Sequence, residues 1–183
     1  MIRKGTVRAL LGGSIAATLI SKSQVSADNW GGQLSWWRWP QDGNLSYCQG
    51  SGLSNDEMEF VHTHMDYLTA ATDMSDSWWG ACSLDYTDVW VRDRNLTVLG
   101  QAFCNKAVNS DICDSYIVDI DYAAHVGWPA GLEQTVCHEI GHSVGFWHDT
   151  SHSDNSCMES PQQADGQHNI YSQHHKDHIN ARW

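Results

Sequence analysis

The stretch from Thr135 to Asp149, TVCHEIGHSVGFWHD, restricts the possible folds of this chain more than any other. His138 and His142 are four residues apart, so on a helix their imidazoles rise from one face, one turn above the other. Two such imidazoles suit a divalent ion of the zinc type, which neutral histidine nitrogens bind well. Glu139 stands next to His138, placed to reach a water at that ion as general base without being a ligand. Gly145 follows His142 by three positions, and a glycine there can take the left-handed conformation that ends a helix. The chain would then turn back and deliver His148 as third ligand. Three protein ligands with a fourth place left for water is the catalytic arrangement; a structural zinc is closed by four. Val136, Ile140 and Val144 fall on a common apolar face, so this helix is expected to bury against a sheet and hold its histidines outward.

The full pattern HExxHxxGxxH resembles the metzincin clan of zinc endopeptidases. With a histidine at the third position followed by Asp149, it is similar to the adamalysins, whereas snapalysin-type proteases carry an aspartate where this chain has His148. The resemblance implies a methionine turn under the metal, and Met158, ten residues past His148, stands where that residue belongs. The astacin and serralysin branches place a metal-contacting tyrosine two positions after this methionine; here that position is Ser160. LGQAF, residues 99–103, resembles the edge strand of the matrixin branch. Gln101 occupies the place of a histidine that serves a second, structural zinc in that branch, a departure that puts such a zinc in doubt here. An edge strand matters because its unpaired backbone can add an extended peptide as a further strand. Residues 96–103 are given that task.

The remaining sequence reads as an α+β domain of this type. A small mixed sheet is expected to pack on the active-site helix and an N-terminal helix, with a further helix at the C-terminal end. Residues 44–48 and 88–93 alternate as strands, and 96–104 and 115–122 read as two more. Ser54-x-x-Glu57 is a capping box, and Met58, Val61, Met65 and Leu68 recur at helical spacing to about Ala71. His62 and His64 in that helix lack ligand-spaced partners and read as flank residues. Residues 72–86 are polar and turn-rich, and 127–131 form a loop into the active helix. Ser172 caps the last helix, where His174, His175 and His178 read as surface residues, as do His152 and His168 in loops. Asp114, Asp119 and Asp121 offer too few oxygens for Ca²⁺, which wants six or more, and read as a solvated face with calcium the lesser option.

Residues 1–27 differ in kind from the rest. Arg3, Lys4 and Arg8 precede an apolar run over residues 9–20, and Val25-Ser26-Ala27 offers a small-residue cleavage site. This is the signature of a secretory signal peptide, shorter than the roughly 20 residues that span a bilayer. Residues 28–183 then form a single secreted domain, read as a monomer. Four of the ten basic residues fall in the leader and none of the 22 acidic ones do, leaving six against 22, a formal charge of −16. Such a surface excludes nucleic acid and anionic membrane as partners.

All six cysteines, Cys48, Cys82, Cys104, Cys113, Cys137 and Cys157, lie after the leader and imply disulfides. Six allow 15 connectivities. Proximity suggests Cys104 with Cys113 and Cys137 with Cys157, leaving Cys48 with Cys82. The expected activity is hydrolysis of peptide bonds in proteins. A zinc amidase acting on small or cell-wall peptides shares the same residues, and a non-catalytic extracellular binding protein of the same fold is the other alternative.

Overall fold

The computed structural model describes residues 38–82, 87–148, 155–159 and 168–183. The expected signal peptide, residues 1–27, and Asp149, His152 and Ser160 lie outside them. The described chain is a mixed sheet with helices packed on it, in the order β1 (Trp39–Pro40), β2 (Asn44–Gln49), α1 (Asn55–Thr69), β3 (Ser75–Ala81), β4 (Val89–Asp93), β5 (Gly100–Ala107), β6 (Ile112–Ile120), α2 (Pro129–Ser143) and α3 (Gln173–Arg182). A single 3-10 turn, Ala123–His125, leads into α2.

The sheet order is β3-β2-β4-β6, all parallel, with β1 joining the start of β6. β5 alone runs antiparallel, on β6, with Gly100 opposite Ile120 and Phe103 opposite Ile117. Among the described strands it pairs with nothing else, so its outer edge is unmatched. It covers residues 100–107, beginning four residues and ending three residues later than the strand read over 96–104.

Local chemistry accounts for the helices. Ser54 caps α1 through the Glu57 backbone N–H, and Glu57 Oε2 accepts the Ser54 backbone N–H at 2.7 Å, a complete capping box. Pro129 opens α2 at a position where its missing N–H costs nothing, so this helix starts three residues before Leu132. Its Val136, Ile140 and Val144 are buried against α1 and the sheet with Met58, Val61, Met65 and Val118. The apolar face expected from spacing is the one that packs.

β3 is the element that sequence periodicity does not reveal. Residues 75–81, SDSWWGA, pair in parallel with β2 at the sheet edge, Asn44 opposite Ser75 and Tyr47 opposite Trp78. An edge strand half open to solvent has no buried face to impose alternation, and Trp79 is 56% exposed. Parallel pairing with β2 is reached through α1, a long connection that no local pattern encodes.

The cysteines form three disulfides: Cys48–Cys82, Cys104–Cys113 and Cys137–Cys157. They tie β2 to the end of β3, β5 to β6, and α2 to the Met158 segment. No described helix is long and apolar enough to cross a membrane.

Several histidines and aspartates are buried where exposure was expected. His64, His168 and His175 are 1%, 8% and 0% exposed. His64 and His175 lie on the inner faces of α1 and α3, and His168 sits 3.4 Å from Glu159. The aspartates are committed to other partners rather than solvated. Asp119 takes both Nε and Nη2 of Arg92 and Nε2 of Gln101. Asp121 accepts the backbone N–H groups of Leu96 and Ala124, and Asp114 pairs with Lys106 at 2.7 Å. Three carboxylates so occupied do not assemble a calcium cage.

Candidate metal centre

α2 ends in a Schellman turn, and that turn aims the third histidine. Gly145 has φ +92°, donates its N–H to the His142 carbonyl, and lets Phe146 donate to the Gly141 carbonyl. Both bonds satisfy carbonyls that the helix end would leave open, and only a residue without a Cβ takes this φ without strain. The Trp39 ring covers the turn, and a Cβ on Gly145 would lie 3.0 Å from it. After the turn, His148 faces back toward the helix.

One potential ligand atom from each of His138, His142 and His148 lies within 4.8 Å of the others. Among the described residues this is the only group of three or more His, Cys, Asp or Glu gathered closely enough to hold a metal ion. The ring orientations follow from their outer hydrogen bonds. Nδ1 of His138 donates to the Cys157 carbonyl at 2.7 Å, and Nδ1 of His142 donates to the Phe146 carbonyl at 2.8 Å. A carbonyl can only accept, so each Nδ1 carries the proton and each Nε2 keeps its lone pair. Burial lowers all three imidazoles, His138 to about 4 and His142 well below its ordinary value, with neighbouring histidines adding to the shift at His138 and His142. The three rings are therefore neutral at pH 7, the form in which histidine binds metal. His148 stacks on Trp147 with ring centroids 4.6 Å apart.

The floor beneath is apolar. Met158 is fully buried, and a Cβ on Gly141 would run into its sulfur and the Tyr171 ring. Gly141 therefore lets the methionine pack flush under the helix between the two histidine turns. The Cys137–Cys157 bond fixes the same segment to the helix, and the Cys157 carbonyl is the one that orients His138. The buried Tyr171 hydroxyl donates to the Cys137 carbonyl at 2.7 Å, so Tyr171 braces the helix backbone.

Glu139 points away from this floor, toward the start of β5. A Cβ on Gly100 would sit 2.7 Å from Glu139 Cγ and 2.9 Å from Oε1, so the strand backbone lies directly on the carboxylate. Glu139 is 6% exposed, and its Oε2 has no hydrogen-bond partner. Burial, with a smaller contribution from the Asp119 charge, pushes it up to about 8. A divalent cation alongside would act in the opposite sense.

Sequence reading singled out the three histidines, Glu139, Gly145 and Met158, and the fold brings all six to one end of α2. It did not find the supporting residues. Gly100 sets the approach of β5, and Trp39 covers the Gly145 turn. His125 bridges the Asp121 carbonyl at 2.6 Å and the Thr135 hydroxyl at 2.9 Å, tying the 3-10 turn to α2. None carries a motif; Gly100 and Trp39 act through contacts between segments distant in sequence.

Compared by sequence, the chain matches no family model and no curated protein. Compared by fold, it is similar to the solved structure described as "Structure of Myroilysin". The two share 12% identity over 80% of this chain and 82% of that one, with a TM-score of 0.51. The shared feature is the α+β architecture.

Proposed function

We propose that this chain is a secreted zinc endopeptidase of the metzincin type, with His138, His142 and His148 as zinc ligands and Glu139 as general base. The observation that carries the reading is the convergence of three neutral imidazoles, two with Nδ1 pinned to carbonyls so that Nε2 is available. Nitrogen ligands in this number and protonation state fit Zn²⁺, and the donor set leaves room for a non-protein ligand. A zinc ion bound there supplies the chemistry of lowering the pKa of water toward neutrality and polarising a peptide carbonyl.

The chain's own residues supply the rest. Glu139, its Oε2 unencumbered, takes the proton from the attacking water and passes it to the leaving amine nitrogen. The apolar packing around Met158 keeps the helix and its histidines from shifting. The unmatched edge of β5 begins beside Glu139 and offers backbone donors and acceptors to an extended peptide, which favours a polypeptide over a compact small substrate.

Glu139→Gln tests the reading. The variant should fold and bind one zinc per chain while hydrolysis of a denatured protein substrate falls by roughly 10²–10⁴. Chelation of the wild type should abolish hydrolysis and zinc should restore it. A Glu139→Gln variant of unchanged activity would overturn the mechanism. A wild type that binds zinc and cleaves no peptide would leave the binding-protein alternative.

A further inference from the structure

α1 and the first turn of α2 do not close on each other. Between them is a cavity of about 180 Å³, lined by Glu59, Phe60, His64 and Tyr67 of α1, Glu133 of α2 and Asn169. Cavities of ~150 Å³ accept a ligand the size of benzene, so the cleft has room for a small molecule.

Its walls define the ligand. His64 is 1% exposed, and neither ring nitrogen has a hydrogen-bond partner. Leaving a buried polar group unpaired costs about 1–3 kcal/mol, and this one stands at the wall of the cavity. Burial pushes His64 down to about 4, so its ring is neutral and keeps one nitrogen as acceptor. Two carboxylates, Glu59 and Glu133, line the same space, and among the described residues no Lys or Arg does. Asn169 Nδ2 donates to Glu133 Oε2 at 2.6 Å and holds that carboxylate in place. Tyr67, 47% exposed, packs edge-on against His64 at 5.6 Å between ring centroids and forms the rim. Negative charge, one neutral acceptor and aromatic walls together describe a receptor for a cation with an apolar stem. A bare metal ion fits less well, since these side chains do not gather three ligand atoms as the histidine triad does.

We propose that the cleft between α1 and α2 binds an organic cation, a primary ammonium or a guanidinium, with Glu59 and Glu133 balancing its charge, His64 accepting one of its N–H groups and Phe60 and Tyr67 flanking its stem. Such a group comes either from a free amine or from a lysine or arginine side chain of a polypeptide. The inference does not depend on the hydrolytic reading, because binding is measured without turnover.

The experiment is calorimetric titration of the intact chain with agmatine and, separately, with arginine blocked at both its amino and carboxyl ends. Saturable binding near a Kd of about 1 mM or tighter is expected. The Glu59→Gln/Glu133→Gln double variant should weaken it by roughly tenfold or more. Tyr67→Ala, on the rim, should weaken it in a chain that melts as the wild type does. Binding of agmatine alone assigns a free amine, and binding of the blocked arginine assigns a polypeptide side chain. Absence of saturation up to about 50 mM, or affinity unchanged in the double variant, overturns the proposal.

Discussion

Adding one methyl group at Gly100 probes the contact between β5 and the carboxylate of Glu139. In Gly100→Ala the new Cβ would meet Glu139 Cγ at 2.7 Å, Thr135 Cγ2 at 2.8 Å and Glu139 Oε1 at 2.9 Å. Carbon atoms prefer ~3.5–4.0 Å, so something must retreat by nearly 1 Å. Thr135 resists, because its hydroxyl is engaged by His125 at 2.9 Å and by the Gly131 carbonyl at 2.9 Å. β5 resists through its register with β6 from Gly100 to Ala107. Glu139, with Oε2 unpartnered, is the group that yields. Alanine also restricts the unfolded chain, worth about 0.4–1 kcal/mol in favour of the fold. Overpacking of about 1–3 kcal/mol opposes that gain and exceeds it. The net effect is a loss of roughly 0–2.5 kcal/mol, a fall in melting temperature of a few degrees at most per kcal/mol for a domain of this size. On the proposed mechanism the larger effect falls on catalysis, since displacing a reacting group by ~1 Å costs on the order of 10²-fold in rate. Thermal unfolding, zinc content and kcat on a protein-derived peptide separate the two. A Gly100→Ala chain with full zinc, unchanged melting and unchanged kcat would refute the placement of β5 on Glu139.

Three further outcomes follow from the same geometry. Gly145→Ala forces a side chain to φ +92° with Trp39 3.0 Å from the new Cβ, so stability should fall by about 1–2 kcal/mol in a denaturant titration, and zinc affinity with it, because the turn aims His148. His64 makes the fold acid-sensitive: below its ordinary pKa of 6.5 the unfolded chain takes up a proton that the folded chain, with His64 at about 4, refuses. Stability should therefore decline as pH falls from 6.5 toward 4, by roughly 3 kcal/mol in all, and His64→Leu should flatten that part of the curve. Arg92→Met strands the Asp119 carboxylate, whose side chain is 3% exposed, and should cost about 3–5 kcal/mol in chemical denaturation. The double change Arg92→Met with Asp119→Leu should recover much of that loss, because the stranded charge is gone.

Much of the candidate site was legible in the linear chain because it is local. Ligand spacing on a helix, the glycine that ends it, the capping box at Ser54 and the apolar stripe on α2 are set by residues within a few positions of one another. Helix geometry converts their spacing into direction without reference to anything else. The cysteine count and its even number likewise required no fold.

What the chain alone left open depends on partners far away in sequence. β3 exists as a strand because β2 offers it an edge, while its own residues alternate on neither face. Asp119 and Asp121, which look like a solvated face in isolation, are buried because Arg92, Gln101 and the backbone of Leu96 come to them from other segments. His64 and the cavity beside it arise from how α1 meets α2. The tautomers of His138 and His142 are decided by the carbonyls of Cys157 and Phe146, and the first of these arrives only through the tertiary packing of the Met158 segment. Local spacing determined which atoms could meet a metal. The packing of distant segments decided how those atoms are oriented, what covers them, and which carboxylate stays unpaired beside them, because burial and hydrogen-bond partners are properties of the folded whole.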